Sequence, residues 1–171
     1  MLVFGALAGC GGKHPAPEPA PVEAPPPPVA ARPAPAPVRV PVPIADSIFI
    51  LTNRERSRAD LTPLRHNADL TRAAQLQAEQ MAAAEKLAHD LPKAKYPTLA
   101  SRLKLVGYAY RATGENVAEG YTSAAALMAG WMTSPLHRAN ILSARFTETG
   151  IGTAHSKSGR AYHAQVFGRP R

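Results

Sequence analysis

From residue 46 onward, apolar positions recur with the periods of regular structure. A first helix is predicted over about 47–58, with Asp46 as its cap and carrying Ile48, Leu51 and Glu55. Asp60-Leu61-Thr62-Pro63 reads as a turn. A second helix over about 67–85 places Leu70, Ala73, Ala74, Gln77, Met81 and Ala84 at helical spacing. The two alanines leave room for close approach to neighbouring structure. Pro92 and Pro97 bound a loop, after which Thr98 caps a short helix reaching about Leu105. Gly107 and Gly114 punctuate the chain, and 114–118 reads as a short extended segment. Ser123 then caps a helix of about 124–133, whose apolar face holds Leu127, Met128 and Trp131 and which Ser134-Pro135 ends. A helical turn near 136–142 follows. Strands over about 147–156 and 160–168 are joined by Lys157-Ser158-Gly159, a hairpin turn. No segment repeats. Helices followed by strands predict an α+β fold.

The first 43 residues have a different grammar. Met1–Ala8 is apolar and runs into Leu7-Ala8-Gly9-Cys10, which matches the bacterial lipobox. Residues 1–9 are expected to be a lipoprotein signal peptide, and 10–12 the anchor region carrying lipidated Cys10, with palmitate among its acyl chains. The apolar run is too short to span a bilayer. No Lys or Arg precedes it, which raises the hypothesis that the natural chain starts further upstream. Residues 13–43 hold 13 of the 18 prolines. Proline removes the backbone donors that helix and sheet need, so a disordered, proline-rich spacer of polyproline II character is expected there. At about 3.1 Å per residue it would hold the folded part, 44–171, several nanometres from a membrane. Gly11 follows the anchor cysteine, so no aspartate retention signal for the inner membrane is visible, and an outer-membrane location is compatible.

Charge and cysteine narrow the field. The net charge is +8, of which residues 13–43 contribute only +1. Arg54, Arg56, Arg58, Arg65 and Arg72 crowd the first two helices, a basic surface suited to anionic lipid or acidic glycan, or simply a solvated face. Nucleic acid is excluded as a partner, because no aromatic residues interleave with the arginines and no binding motif is present. Cys10 is the single cysteine, so the folded part has no disulfide and depends on its core.

Four short segments carry the candidate chemistry. They are Leu87-Ala88-His89, Gly114-Glu115-Asn116-Val117-Ala118, Trp131 to Leu142 with His137-Arg138-Ala139-Asn140 inside it, and Phe146 to Gly152. With Leu51-Thr52-Asn53-Arg54-Glu55-Arg56 before them and Tyr162 to Gly168 after, this ordered series resembles the bacterial branch of the CAP superfamily, also called SCP-like. The likeness runs from about Ile48 to Gly168. It implies an α-β-α sandwich with a small antiparallel sheet between helical layers. It also implies a pocket of two histidines and two glutamates. His89 and His137 match the histidines and Glu115 the first glutamate, while Ser134 stands where the second belongs. Absence of disulfides also suits the bacterial branch.

His89, His137 and Glu115 offer two imidazoles and a carboxylate, the donor set of a His₂Glu zinc site. In a hydrolase, Glu115 and His137 would be the catalytic candidates, with zinc acidifying water or Glu115 orienting an imidazole as base. The same residues can instead form a hydrogen-bonded network that shapes a cleft. Asn116 reads as a strut, Trp131 as core, and Ser134 as a helix end rather than a nucleophile. His66, His155 and His163 read as surface or strand residues. The reading favours binding over catalysis: a lipid-anchored protein of the bacterial cell envelope, on its periplasmic or extracellular face. Its cleft would take a lipid, a peptidoglycan component or a protein partner. A zinc-assisted hydrolase and a membrane-to-wall tether are the alternatives.

Overall fold

The computed structural model describes residues 43–171. The expectations for the signal peptide, Cys10 and most of the spacer lie outside the described residues. The element order is α1 (Ile44–Ser57), β1 (Arg65–His66), α2 (Ala68–Ala84), α3 (Leu99–Leu105), β2 (Tyr110–Glu119), α4 (Ala124–Thr133), α5 (Pro135–Ile141), β3 (Glu148–His155) and β4 (Ala161–Pro170). No helix among the described residues is long and apolar enough to cross a membrane.

Local chemistry explains most boundaries. Asn67 caps α2 by accepting from the backbone N–H groups of Asp69 and Leu70. Thr98 caps α3 in a reciprocal box with Ser101, and Ser123 caps α4 through Ala126. Pro135 opens α5, where its missing N–H costs nothing. The first helix departs from expectation. It starts at Ile44 after Pro43, with no side-chain cap, and Asp46 lies within its first turn. Ile44 and Ala45 pack against the core, so tertiary burial extends the helix upstream of its polar signal. Asp46 then complements the positive end of the helix dipole.

The sheet order is β1-β3-β4-β2. β2 and β3 both run antiparallel to β4, and Gly159, at φ +82, makes the turn between β3 and β4. The sheet is mixed rather than wholly antiparallel, because β1 pairs in parallel with Glu148 and Thr149 of β3. A two-residue strand has no periodicity to read. β2 is also longer than the expected 114–118, since β4 offers it a partner along its length.

Alternation along the strands sends side chains to two cores. On one face Val117, Tyr162, Ala164 and Val166 pack with Leu70, Ala73, Ala74 and Met81 of α2 and Leu103 of α3. On the other, Ala118, Ile151 and Phe167 pack with Ile48 of α1, Leu127 and Trp131 of α4 and Ile141 of α5. A Cβ at Gly150 or Gly152 would collide with the α2 backbone at Leu70–Thr71 and Ala74–Gln75. The helix therefore lies directly on β3, and Ala73 and Ala74 allow that approach. The architecture is the α-β-α sandwich that the resemblance implied.

The basic surface is smaller than the sequence suggested. Arg56 is buried, and its guanidinium donates to the carbonyls of Thr62, Ile141 and Ser143 at 2.8–3.0 Å. It ties α1 to the end of α5. Arg65 lies in β1 and pairs with Glu148.

Candidate functional site

β2 is an edge strand. Its alternation sends Glu115 toward the α2–α3 side and Asn116 toward the α4–α5 side. The candidate site straddles this edge.

His89 follows α2. Buried Gln77 on that helix donates to the carbonyls of Ala88 at 2.6 Å and His89 at 3.0 Å, pinning the loop. His89 Nδ1 lies 3.0 Å from Glu115 Oε1. A carboxylate only accepts, so Nδ1 carries the shared proton and Nε2 is left for other partners. The other carboxylate oxygen, Oε2, accepts from Arg102 Nη2 at 2.6 Å. Arg102 is fully buried, the Glu115 side chain is 4% exposed, and that of His89 is 56% exposed. A relay thus runs from a hidden cation through a fixed anion to an exposed imidazole. The hydrogen bond to Glu115, aided by its charge, raises the pKa of His89 against the opposing effect of burial.

Helix α5 approaches from the other side. Asn116 Nδ2 donates to the His137 carbonyl at 3.1 Å, and Asn140 Nδ2 donates to the Glu115 carbonyl at 3.1 Å and to Asn116 Oδ1 at 2.9 Å. Trp131 Nε1 reaches the Val117 carbonyl at 3.4 Å. These side chains satisfy the exposed edge of β2 and lock α4 and α5 onto it. Asn116 is therefore the strut the sequence suggested, and Trp131 is core, with its ring centre 6.3 Å from that of His137. The His137 imidazole is half-buried. Its pKa is lowered, first by desolvation and then by the charge of His89, so the two rings share one electrostatic environment. Ser134 ends α4 and starts α5 through its backbone, and its side chain makes no cap bond.

Among the described residues, no three His, Cys, Asp or Glu side chains gather closely enough to hold a metal ion. Both Glu115 oxygens are already engaged, by Arg102 and His89. In this arrangement the three candidates do not fit a zinc site, because Glu115 would have to leave a buried ion pair.

Arg102 is the site residue that sequence reasoning missed. A signal was present: Arg102 shares the inward face of α3 with Leu99, Leu103 and Val106. A charge placed there needs a buried counter-charge. His163 also departs from expectation, since it is a strand residue but not a surface one. It is buried, its Nε2–H donates to the Tyr121 carbonyl at 2.8 Å, and desolvation lowers its pKa.

Residues 49–167 match the CAP family, the cysteine-rich secretory protein family. The chain belongs to that family. It is 32% identical over 119 residues to the uncharacterized protein YkwD of Bacillus subtilis (strain 168), covering 70% of this chain and 45% of the relative. An extracellular protein containing a SCP domain from Bacillus anthracis superposes with a TM-score of 0.67 at 30% identity, covering 73% of this chain and 40% of that one. This chain thus spans less than half the length of both bacterial relatives. An outer surface protein of Borrelia burgdorferi shares the fold with a TM-score of 0.67 at 17% identity, covering 74% and 92% of the two chains.

Proposed function

We propose that this chain is a lipid-anchored CAP-domain protein of the bacterial cell envelope. Its cleft at His89, Glu115 and His137 binds a polar ligand, a glycan or peptide of the wall, without chemical turnover. The observation that carries the reading is the double engagement of Glu115. A carboxylate held by buried Arg102 on one oxygen and by His89 on the other has no oxygen left without a partner to offer a metal or a substrate. What the cleft offers is His89 Nε2 and the His137 ring, two recognition groups on a rigid frame. Their polarity suits a sugar or peptide better than an acyl chain. A bacterial relative described as extracellular supports a location outside the cytoplasm. Lipidation at Cys10, followed by the proline-rich spacer, would place the domain at a distance from its membrane.

The test is co-sedimentation of the chain with purified peptidoglycan, beside the His89→Ala/His137→Ala variant and anionic lipid vesicles. Retention on the wall material, lost in the variant, is the expected result. Equal retention of both proteins, or capture by vesicles alone, would overturn the reading. Cleavage of the wall material by the wild type would move the site into the hydrolases.

A further inference from the structure

A second concavity lies away from the cleft, between the end of α2 and the loop after it. It encloses about 740 Å³, within the range of ligand pockets. Its floor is a set of small apolar groups, from Ala83 and Ala84 on the helix to Leu91, Pro92 and Ala94 on the loop. Leu91, 6% exposed, lies at the base of the hollow, while Ala83, Ala84 and Pro92 are exposed along its sides. Its rim carries Lys86, Lys93 and Lys95, all exposed, and no acidic residue lines it. Asp90 precedes Leu91 in the loop but is not part of the lining. The acids nearest along the helix are engaged elsewhere: Glu79 accepts from Gln75 and Glu85 from the Ser158 N–H.

The walls are preformed. Gln80 clamps the loop by donating to the Tyr96 carbonyl at 3.1 Å and accepting from its N–H at 3.0 Å. Leu91 N–H donates to the Pro97 carbonyl at 3.0 Å and closes the loop on itself. Such a surface does not have to be ordered by its ligand, which favours binding.

We infer that this groove docks an acidic peptide segment of a partner protein, with one apolar side chain on the Leu91 floor and carboxylates against the three lysines. The charge of the rim selects this occupant: three lysines and no acid accompany the apolar groups. A single-headed lipid would use one end of the rim and leave the remaining lysines idle. A peptide with charges on both sides of one apolar residue meets all three cations. The site is independent of the His89 cleft, although both use the loop that begins at Lys86.

The experiment is an NMR titration of the whole ¹⁵N-labelled chain with a capped pentapeptide, leucine flanked on each side by two acidic residues. Saturable shifts at Lys86 and residues 91–95 are expected in the millimolar range or below. Affinity should fall at least tenfold in Lys86→Glu/Lys93→Glu/Lys95→Glu, whose altered side chains are all exposed. It should weaken between low and high salt and stay unchanged in His89→Ala/His137→Ala. Equal binding of the glutamine-flanked peptide, shifts elsewhere, no shifts, or dodecanoate occupying the groove where the acidic peptide does not, would each overturn the inference.

Discussion

Glu115 and Glu148 are equally buried, each 8% exposed, and each is paired with an arginine, yet their partners differ in kind. Glu148 accepts from Arg65, Asn67 and Tyr108 at 2.9–3.0 Å. Its ion-pair partner is exposed, with the Arg65 side chain 73% accessible, and the other donors are neutral. The cluster joins β1, the cap of α2 and the segment before β2 to the start of β3. Burial and the bond to Glu148 push the Tyr108 hydroxyl well above its usual range. Glu115 reverses the order. Its arginine is buried, and its second partner is an exposed histidine that does titrate. Equal burial therefore leaves the two carboxylates in different company, one among neutral donors and an exposed cation, the other between a hidden cation and an exposed imidazole.

Removing the arginines should separate the two glutamates most sharply. Arg102→Met leaves Glu115 buried without its cation, and thermal or denaturant unfolding should show a loss of about 3–5 kcal/mol. Arg65→Met breaks a pair whose cation is already in water, and should cost no more than about 1 kcal/mol. Similar losses in the two variants would dissolve the distinction. Tyr108→Phe, which removes a hydrogen bond to a charged group, should fall between them at about 1.5–3 kcal/mol.

Titration should sharpen the comparison. In Glu115→Gln the NMR midpoint of His89 should move down, because its main stabilising partner is gone, whereas Glu148→Gln should leave it in place. His89→Ala should raise the midpoint of His137 by removing a neighbouring charge. The sign for stability follows from the raised pKa of His89. Its contribution is full below the unfolded pKa of about 6.5. It is lost as pH rises through the higher folded value. His89→Gln should therefore lose more stability relative to wild type at pH 5.5 than at pH 9. The difference should be small, since the ring is more than half exposed. A larger loss at pH 9 would contradict the His89–Glu115 bond.

The smallest effect is expected with metal. Calorimetric zinc titration of wild type and of His89→Ala/His137→Ala should show no tight stoichiometric site in either. Tight binding lost in the variant would mean that Glu115 can exchange Arg102 for a metal.

The helices α2, α3 and α4 were legible because their signals are local: apolar runs of helical period, with Thr98 and Ser123 as caps before α3 and α4. The hairpin of β3 and β4 was legible through Lys157-Ser158-Gly159, whose glycine suits the turn. The start of α1 was not, because Ile44 and Ala45 are helical through packing against distant residues. Strand β1 was not, because two residues form a strand only where β3 offers an edge. His89, Glu115 and His137 stood out through the wording of their segments, but nothing in that wording states which of them touch.

Local sequence thus determined most of the elements, the separate composition of the first 43 residues, the absence of disulfides in the folded part and the identity of the candidate side chains. Such properties depend on neighbours within a few turns. Tertiary structure alone decided that Arg102 and Arg56 turn inward and that His89 meets Glu115 across the edge of β2. It also decided that Asn116 of β2 holds the His137 carbonyl and that the lysines after α2 line a hollow with apolar groups. Each of those outcomes depends on groups far apart in the chain being desolvated together, and an unpaired buried charge is too costly to survive. Its partner is therefore chosen by the fold and not by its neighbours in sequence.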